Sequence, residues 1–292
     1  MIIANPTYDI VFKKLMEDLH IARGILELIL DTEIEQLEFA SQEFTATKED
    51  LSLTYFRLDF KARILTKDGP KNVLIEMQKG KLSSDVDRFR TYLAEEYRRL
   101  YEVPDADGVM QRHGIPIITI YFFGYNIDTR LPAAFKIDRR YVDLITGEEL
   151  GLRCDVMERL THDAYAVQIP LLGDQQGTVM EDLLAIFRQD HPADEAGHTL
   201  IVEEDRTHSG LVNDILYNLR RLVEKPDVQR AMAIEDEMYQ ALGGIEEERR
   251  KYEEEKRKRE EAERQREEAE RKFMEAEAEI ARLRRLLPPN TE

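Results

Sequence analysis

Residues 56–79 constrain the fold more than any other stretch of this chain. In Phe56-Arg57-Leu58-Asp59-Phe60-Lys61-Ala62-Arg63-Ile64, apolar side chains take every even position and polar ones every odd position. Successive side chains of a strand point to opposite faces, so this is a strand with one face turned to a core. Lys67-Asp68-Gly69-Pro70 supplies turn chemistry. Val73-Leu74-Ile75-Glu76-Met77-Gln78-Lys79 then returns as a second, more apolar and more deeply buried strand. Two such runs joined by a short Asp-Gly-Pro loop predict an antiparallel hairpin.

The flanks of this hairpin read as helix. Asn5-Pro6-Thr7 can open a helix, and Ile10, Val11, Phe12, Leu15 and Leu19 follow at helical spacing. A second helix is expected over 19–30 and a first, weakly alternating strand over 33–40. After the hairpin, residues 83–101 predict a helix with Val86, Phe89, Leu93 and Tyr97 on one face and Ser84 or Asp85 as cap. Residues 103–113 read as a loop, and 115–123 as a buried strand with Pro116 confined to its start. This order gives an α/β class: a mixed sheet flanked by helices. Residues 135–142 and 165–169 are candidate further strands. Helical spacing recurs over 179–187, 208–222 and 228–242, and Gly243-Gly244 punctuates. The expected organisation is an α/β domain over 1–175, a helical extension over 176–243, and a charged segment over 244–288.

The charged fraction is 35 %, against about a quarter in ordinary globular domains. The excess is local: from Glu246 to Arg285 nearly every residue is Glu, Lys, Arg, Gln or Ala. Within it Ala262, Ala269, Ala276 and Leu283 are seven apart, and so are Phe273, Ile280 and Leu287, offset by four. That is an a/d heptad seam. Backwards along it the a positions become Arg266 and Arg259, then Tyr252 and Ile245. A charged single helix over 245–266 and a short coiled coil over 266–287, forming a homodimer, are expected; a solvated helix without a partner is the alternative. Residues 235–292 hold 19 acidic and 14 basic side chains, so −13 of the net −18 belongs to the rest of the chain. Such a body weighs against promiscuous nucleic-acid binding, which draws on Lys and Arg. The single Cys154 excludes an intrachain disulfide and a Cys-rich zinc site. No run approaches the roughly 18 apolar residues of a membrane helix, and the opening residues lack a signal pattern. A cytoplasmic protein without membrane contact is the expectation.

Alternation decides which side chains can carry chemistry. Arg57, Asp59, Lys61 and Arg63 share one strand face; Leu74, Glu76 and Gln78 share one face of the next. If these faces coincide, Asp59 lies near Glu76 with Lys61 or Gln78 in reach. Two carboxylates on adjacent strands suit Mg²⁺ or Mn²⁺, hard cations that take phosphate oxygens directly. Asp59 could equally form a plain cross-strand pair with Lys61 or Arg57. Glu76 is harder to explain away, because it interrupts the run Val-Leu-Ile-Glu-Met, where a lone buried carboxylate is costly. The six histidines are scattered without ligand spacing, and the aromatic residues of 115–123 read as core.

Three segments together resemble the PD-(D/E)XK nuclease superfamily, and within it the recombination-promoting nuclease/putative transposase family. They are Asp9-Ile-Val-Phe12-Lys13 in the first helix, Leu58-Asp59-Phe60, and Ile75-Glu76-Met77-Gln78-Lys79 in the Glu-x-Gln form. The resemblance covers about residues 5–125 and implies a restriction-endonuclease-like fold. It implies that Asp59, Glu76 and the carbonyl of Met77 bind Mg²⁺ or Mn²⁺, and that Gln78 stands where lysine is usual. Lysine is charged and an amide can only hydrogen-bond, so Lys61 is the candidate replacement. Arg88 and Lys13 are implied as phosphate contacts, though Asp9 and Lys13 would equally form an i,i+4 surface pair. The function implied is a metal-dependent endonuclease acting on DNA, in recombination, mobilisation or defence. The alternative is a catalytically degenerate nuclease fold used as an oligomeric interaction or regulatory module.

Overall fold

The computed structural model describes residues 1–39, 60–80, 83–104, 108–173, 177–203 and 210–286. A short strand β1 (Ile2–Ala4) opens the chain, followed by helices α1 (Asp9–Met16) and α2 (Leu19–Leu30). Strand β2 (Gln36–Phe39) and the hairpin β3 (Phe60–Thr66) and β4 (Gly69–Gln78) come next, then helix α3 (Ser83–Arg98). A second hairpin, β5 (Tyr101–Pro104) and β6 (Met110–His113), precedes the buried strand β7 (Ile117–Phe123). Strands β8 (Ala134–Ile137), β9 (Tyr141–Val142) and β10 (Glu149–Leu150), helix α4 (Asp155–Leu160) and strand β11 (His162–Gln168) follow. The described residues end with α5 (Val179–Ala185), β12 (Thr199–Ile201), α6 (Gly210–Val223) and α7 (Pro226–Leu286).

The expected hairpin forms. Phe60 pairs with Ile75 and Thr66 with Gly69, around a two-residue loop closed by Gly69 at φ +100°. Only glycine adopts that conformation cheaply. The main sheet has the order β2-β3-β4-β7-β11-β8, antiparallel from β2 to β4, parallel from β4 through β7 to β11, and antiparallel again at β8. It is a mixed sheet with helices on it, as the alternation and helical spacing imply.

One face of β4 sends Val73, Ile75 and Met77 into the main core, together with Phe12, Ile25 and Leu26 of α1 and α2. Burial of each such side chain stabilises the fold by about 1.5–3 kcal/mol. The other face carries a smaller cluster, Leu74, Ile117, Phe89 and Tyr92, beneath α3. Asp18 caps α2 by accepting from the backbone N–H groups of His20 and Ile21.

Several expectations differ from the fold. The described residues of 177–239 are not set apart from the α/β domain: Leu183, Leu184, Val212, Leu216, Val228 and Met232 join the same core. The compact units are Met1–Tyr239 and Gln240–Glu292. Gly243-Gly244 does not punctuate, because α7 passes through both. Two glycines weaken a helix by roughly 1 kcal/mol each without preventing it. The expected loop 103–113 contains the β5–β6 hairpin, which starts at Tyr101 and so ends α3 at Arg98. The buried face of α3 is rotated from the predicted one: Val86 is exposed, and Phe89, Tyr92 and Glu96 are buried. The strand expected over 135–142 divides into β8 and β9. No helix among the described residues is long and apolar enough to cross a membrane.

Candidate functional site

Register puts Lys61 beside Leu74 across β3 and β4, and Glu76 beside Tyr121 across β4 and β7. Paired residues share a face, so Lys61, Asn72, Glu76, Gln78 and Tyr121 all lie on the side covered by α3. The carboxylate of Glu76 has no exposed surface. Arg88, in the second turn of α3, donates from Nη2 to its Oε1 at 2.6 Å. A guanidinium so placed offsets the several kcal/mol that burying an isolated carboxylate costs. Burial pushes the Tyr121 hydroxyl up to about 12, with Thr119 opposing and the Glu76 charge adding to the shift. It serves as a hydrogen-bonding hydroxyl at neutral pH.

Gln78, also buried, accepts from the Tyr125 hydroxyl at 3.0 Å, and its carbonyl accepts from the Gly124 N–H at 2.7 Å. A side chain at Gly124 would place a Cβ 2.3 Å from the Lys79 carbonyl oxygen. Only glycine lets the ends of β4 and β7 lie this close. The Met77 side chain sits in the main core, so the donor the resemblance assigns to it is its carbonyl alone.

Lys61 is seated elsewhere on the same face. Its ammonium donates to Glu96 Oε2 at 2.5 Å and to the Tyr101 hydroxyl at 3.1 Å. Asn72 and Tyr101 also donate to Glu96. The Glu96 carboxylate therefore collects donors from β3, β4 and β5 and ties α3 to the sheet. Burial holds Lys61 below the ordinary lysine range, against the opposing pull of Glu96. This geometry gives Lys61 an anchoring position. Lys13 lies on α1, which packs on the opposite face with Phe12 against Phe122, and pairs with Asp9 at 2.6 Å, the alternative that spacing allowed. Asp59 lies outside the described residues; Phe60 with Ile75 is the last described pair before it.

A second polar cluster escaped the sequence reading. Asp236 on α7 accepts from Lys79 Nζ at 2.5 Å and from the Tyr8 hydroxyl at 3.1 Å, and lies 2.8 Å from His198 Nε2. The Lys79 ammonium sits 3.3 Å from the centre of the Tyr8 ring. Burial tends to raise Asp236, but its bonds to Lys79 and His198 outweigh it and hold the group below the usual range. Beside it, Glu235 accepts from the backbone N–H of Asp9, capping α1 from another helix where Tyr8 offers no side-chain cap. Burial raises Glu235 to about 7; Lys79 opposes the shift and Asp9 adds to it. No local spacing announces contacts between residues 8, 79, 198 and 236. Glu96 left a faint trace, because it continues the 89, 92, 96 spacing of the apolar face of α3.

The donors on the α3 face are carboxylate and amide oxygens, the kind a hard cation takes. In number they fall short: among the described residues no group of three His, Cys, Asp or Glu side chains could hold a metal ion. In comparisons with known proteins, no family model, no curated protein and no solved structure matches this chain.

Proposed function

We propose that the chain is a divalent-cation-dependent nuclease of restriction-endonuclease-like fold that hydrolyses phosphodiester bonds in DNA. The observation that carries the reading is Glu76: a carboxylate with no exposed surface on a central strand, gripped by Arg88 from the covering helix. Structural economy favours an apolar residue there. A charged pair kept in such a place is a candidate for chemistry. The order of elements supports the same reading, with α1 and α2, then β2, β3 and β4, then α3, then β7 parallel to β4. In this proposal Glu76 and Asp59 hold Mg²⁺ or Mn²⁺, assisted by the Met77 carbonyl. When bound, the cation supplies Lewis-acid polarisation of the phosphate and of a water. Arg88 orients Glu76, and Tyr125 orients the Gln78 amide to hydrogen-bond a water or a phosphate oxygen. The tail pairs two copies and so brings two cleavage sites into one particle.

The test is nicking of supercoiled plasmid with Mg²⁺ by the intact chain, Asp59→Asn and Glu76→Gln, each checked for a native circular dichroism spectrum. The two variants are expected to lose at least about 100-fold in rate. Equal nicking by all three proteins removes the assignment.

A second reading has its own observation. Lys61 is held by Glu96 and Tyr101, and Gln78 stands in the motif's lysine position. A nuclease fold without an activating lysine fits an oligomeric interaction or regulatory module. Calorimetric titration with Mn²⁺ separates the two: a Glu76-dependent heat of binding favours the enzyme, and none favours the module.

A further inference from the structure

The charged part of α7, from Gln240 onward, is a helix whose apolar seam stands in solvent. Phe273 and Ile280 are more than half exposed, and Ala262, Ala269 and Ala276 are exposed with them. We infer that this seam takes a second copy of the same chain, parallel and in register. The inference rests on the tail pairing stated above and adds its orientation.

Charge decides the orientation. With Phe273 and Ile280 at a and the alanines at d, the g positions are Lys258, Gln265 and Lys272, and the e positions five residues on are Glu263, Glu270 and Glu277. In a parallel, in-register pair each g residue meets the following e residue of the partner helix. Lys258 then faces a Glu263, Lys272 faces a Glu277, and Gln265 faces a Glu270 without conflict. An antiparallel pair juxtaposes e with e, and three successive e positions are glutamate. Like charges there disfavour it. In the single helix Lys258 and Lys272 turn to Glu254 and Glu268 at 2.7 Å, exposed i,i+4 pairs of a few tenths of a kcal/mol that give way readily. Arg259 and Arg266 at a weaken the upper seam, so the pairing is centred on Phe273 and Ile280.

The experiment uses the full chain with Cys154→Ser, which removes the exposed native thiol. Ala262→Cys and Ala276→Cys are added singly, and mass is followed by sedimentation. The expected result is a dimer in which each cysteine variant crosslinks to itself under mild oxidation. Lys272→Glu is expected to weaken the dimer about tenfold, with recovery when Glu277→Lys is added. A dimer in which neither cysteine variant crosslinks to itself overturns the orientation and leaves the tail pairing intact. A monomer at all concentrations overturns both.

Discussion

A buried and a half-buried glutamate, Glu76 and Glu235, show how surroundings decide what a carboxyl group is for. Glu76 is met by a guanidinium, whereas Glu235 faces the like charges of Asp9 and Asp236 with Lys79 as counterweight. Burial therefore wins at Glu235 and lifts it to about 7 from an ordinary 4.5. A raised carboxyl means the folded chain holds a proton that the unfolded chain releases. The stability it contributes is complete below about 4.5 and lost as the pH rises to about 7, on the order of 2–3 kcal/mol. Glu235→Gln is expected to flatten that part of the stability curve. Urea midpoints at pH 5 and pH 8 measure it; parallel curves for the two proteins would sink the assignment. The neighbouring Asp236 behaves oppositely because three donors converge on it.

At the level of elements, the end of β4 is held from both faces. Tyr125 and Gly124 grip Gln78 on one side, and Asp236 with Tyr8 grips Lys79 on the other. The tight point is Gly124, where an added methyl meets the main chain of Lys79 and Gln78. Backbone cannot swing aside as a side chain does, so Gly124→Ala is expected to cost about 1–3 kcal/mol. Its amide exchange should rise at residue 124 first, because that N–H donates the 2.7 Å bond to the Gln78 carbonyl that closes the strand end. Unchanged exchange there would contradict the close approach. The hairpin itself was legible from the alternation that runs into β3, the Asp-Gly-Pro turn and the apolar return strand. The rotated face of α3 was not, because a buried glutamate holds one of its core positions and breaks the apolar stripe.

Over the whole molecule, the Met1–Tyr239 unit has one principal core shared by both halves of the chain. Leu219 on α6 is fully buried among residues of α1, α2 and β1. Leu219→Ala is expected to destabilise by about 2–5 kcal/mol. Because the core is shared, β4 and α6 should lose protection together in native-state hydrogen exchange. Separate transitions would instead support a boundary near residue 175.

The amino-acid sequence by itself determined the hairpin, the helix pair before it, the buried β7 strand, and the heptad period of the tail. Each is written in local spacing, which depends only on where successive side chains point. It also set Glu76 in an apolar strand. Tertiary structure alone decided what surrounds that group. Arg88 reaches it from α3, Lys61 goes to Glu96, and Lys13 rides on α1 against the opposite face. Charged side chains choose partners by proximity in space, and contacts such as Lys79 with Asp236, 157 residues apart, leave no period in the chain.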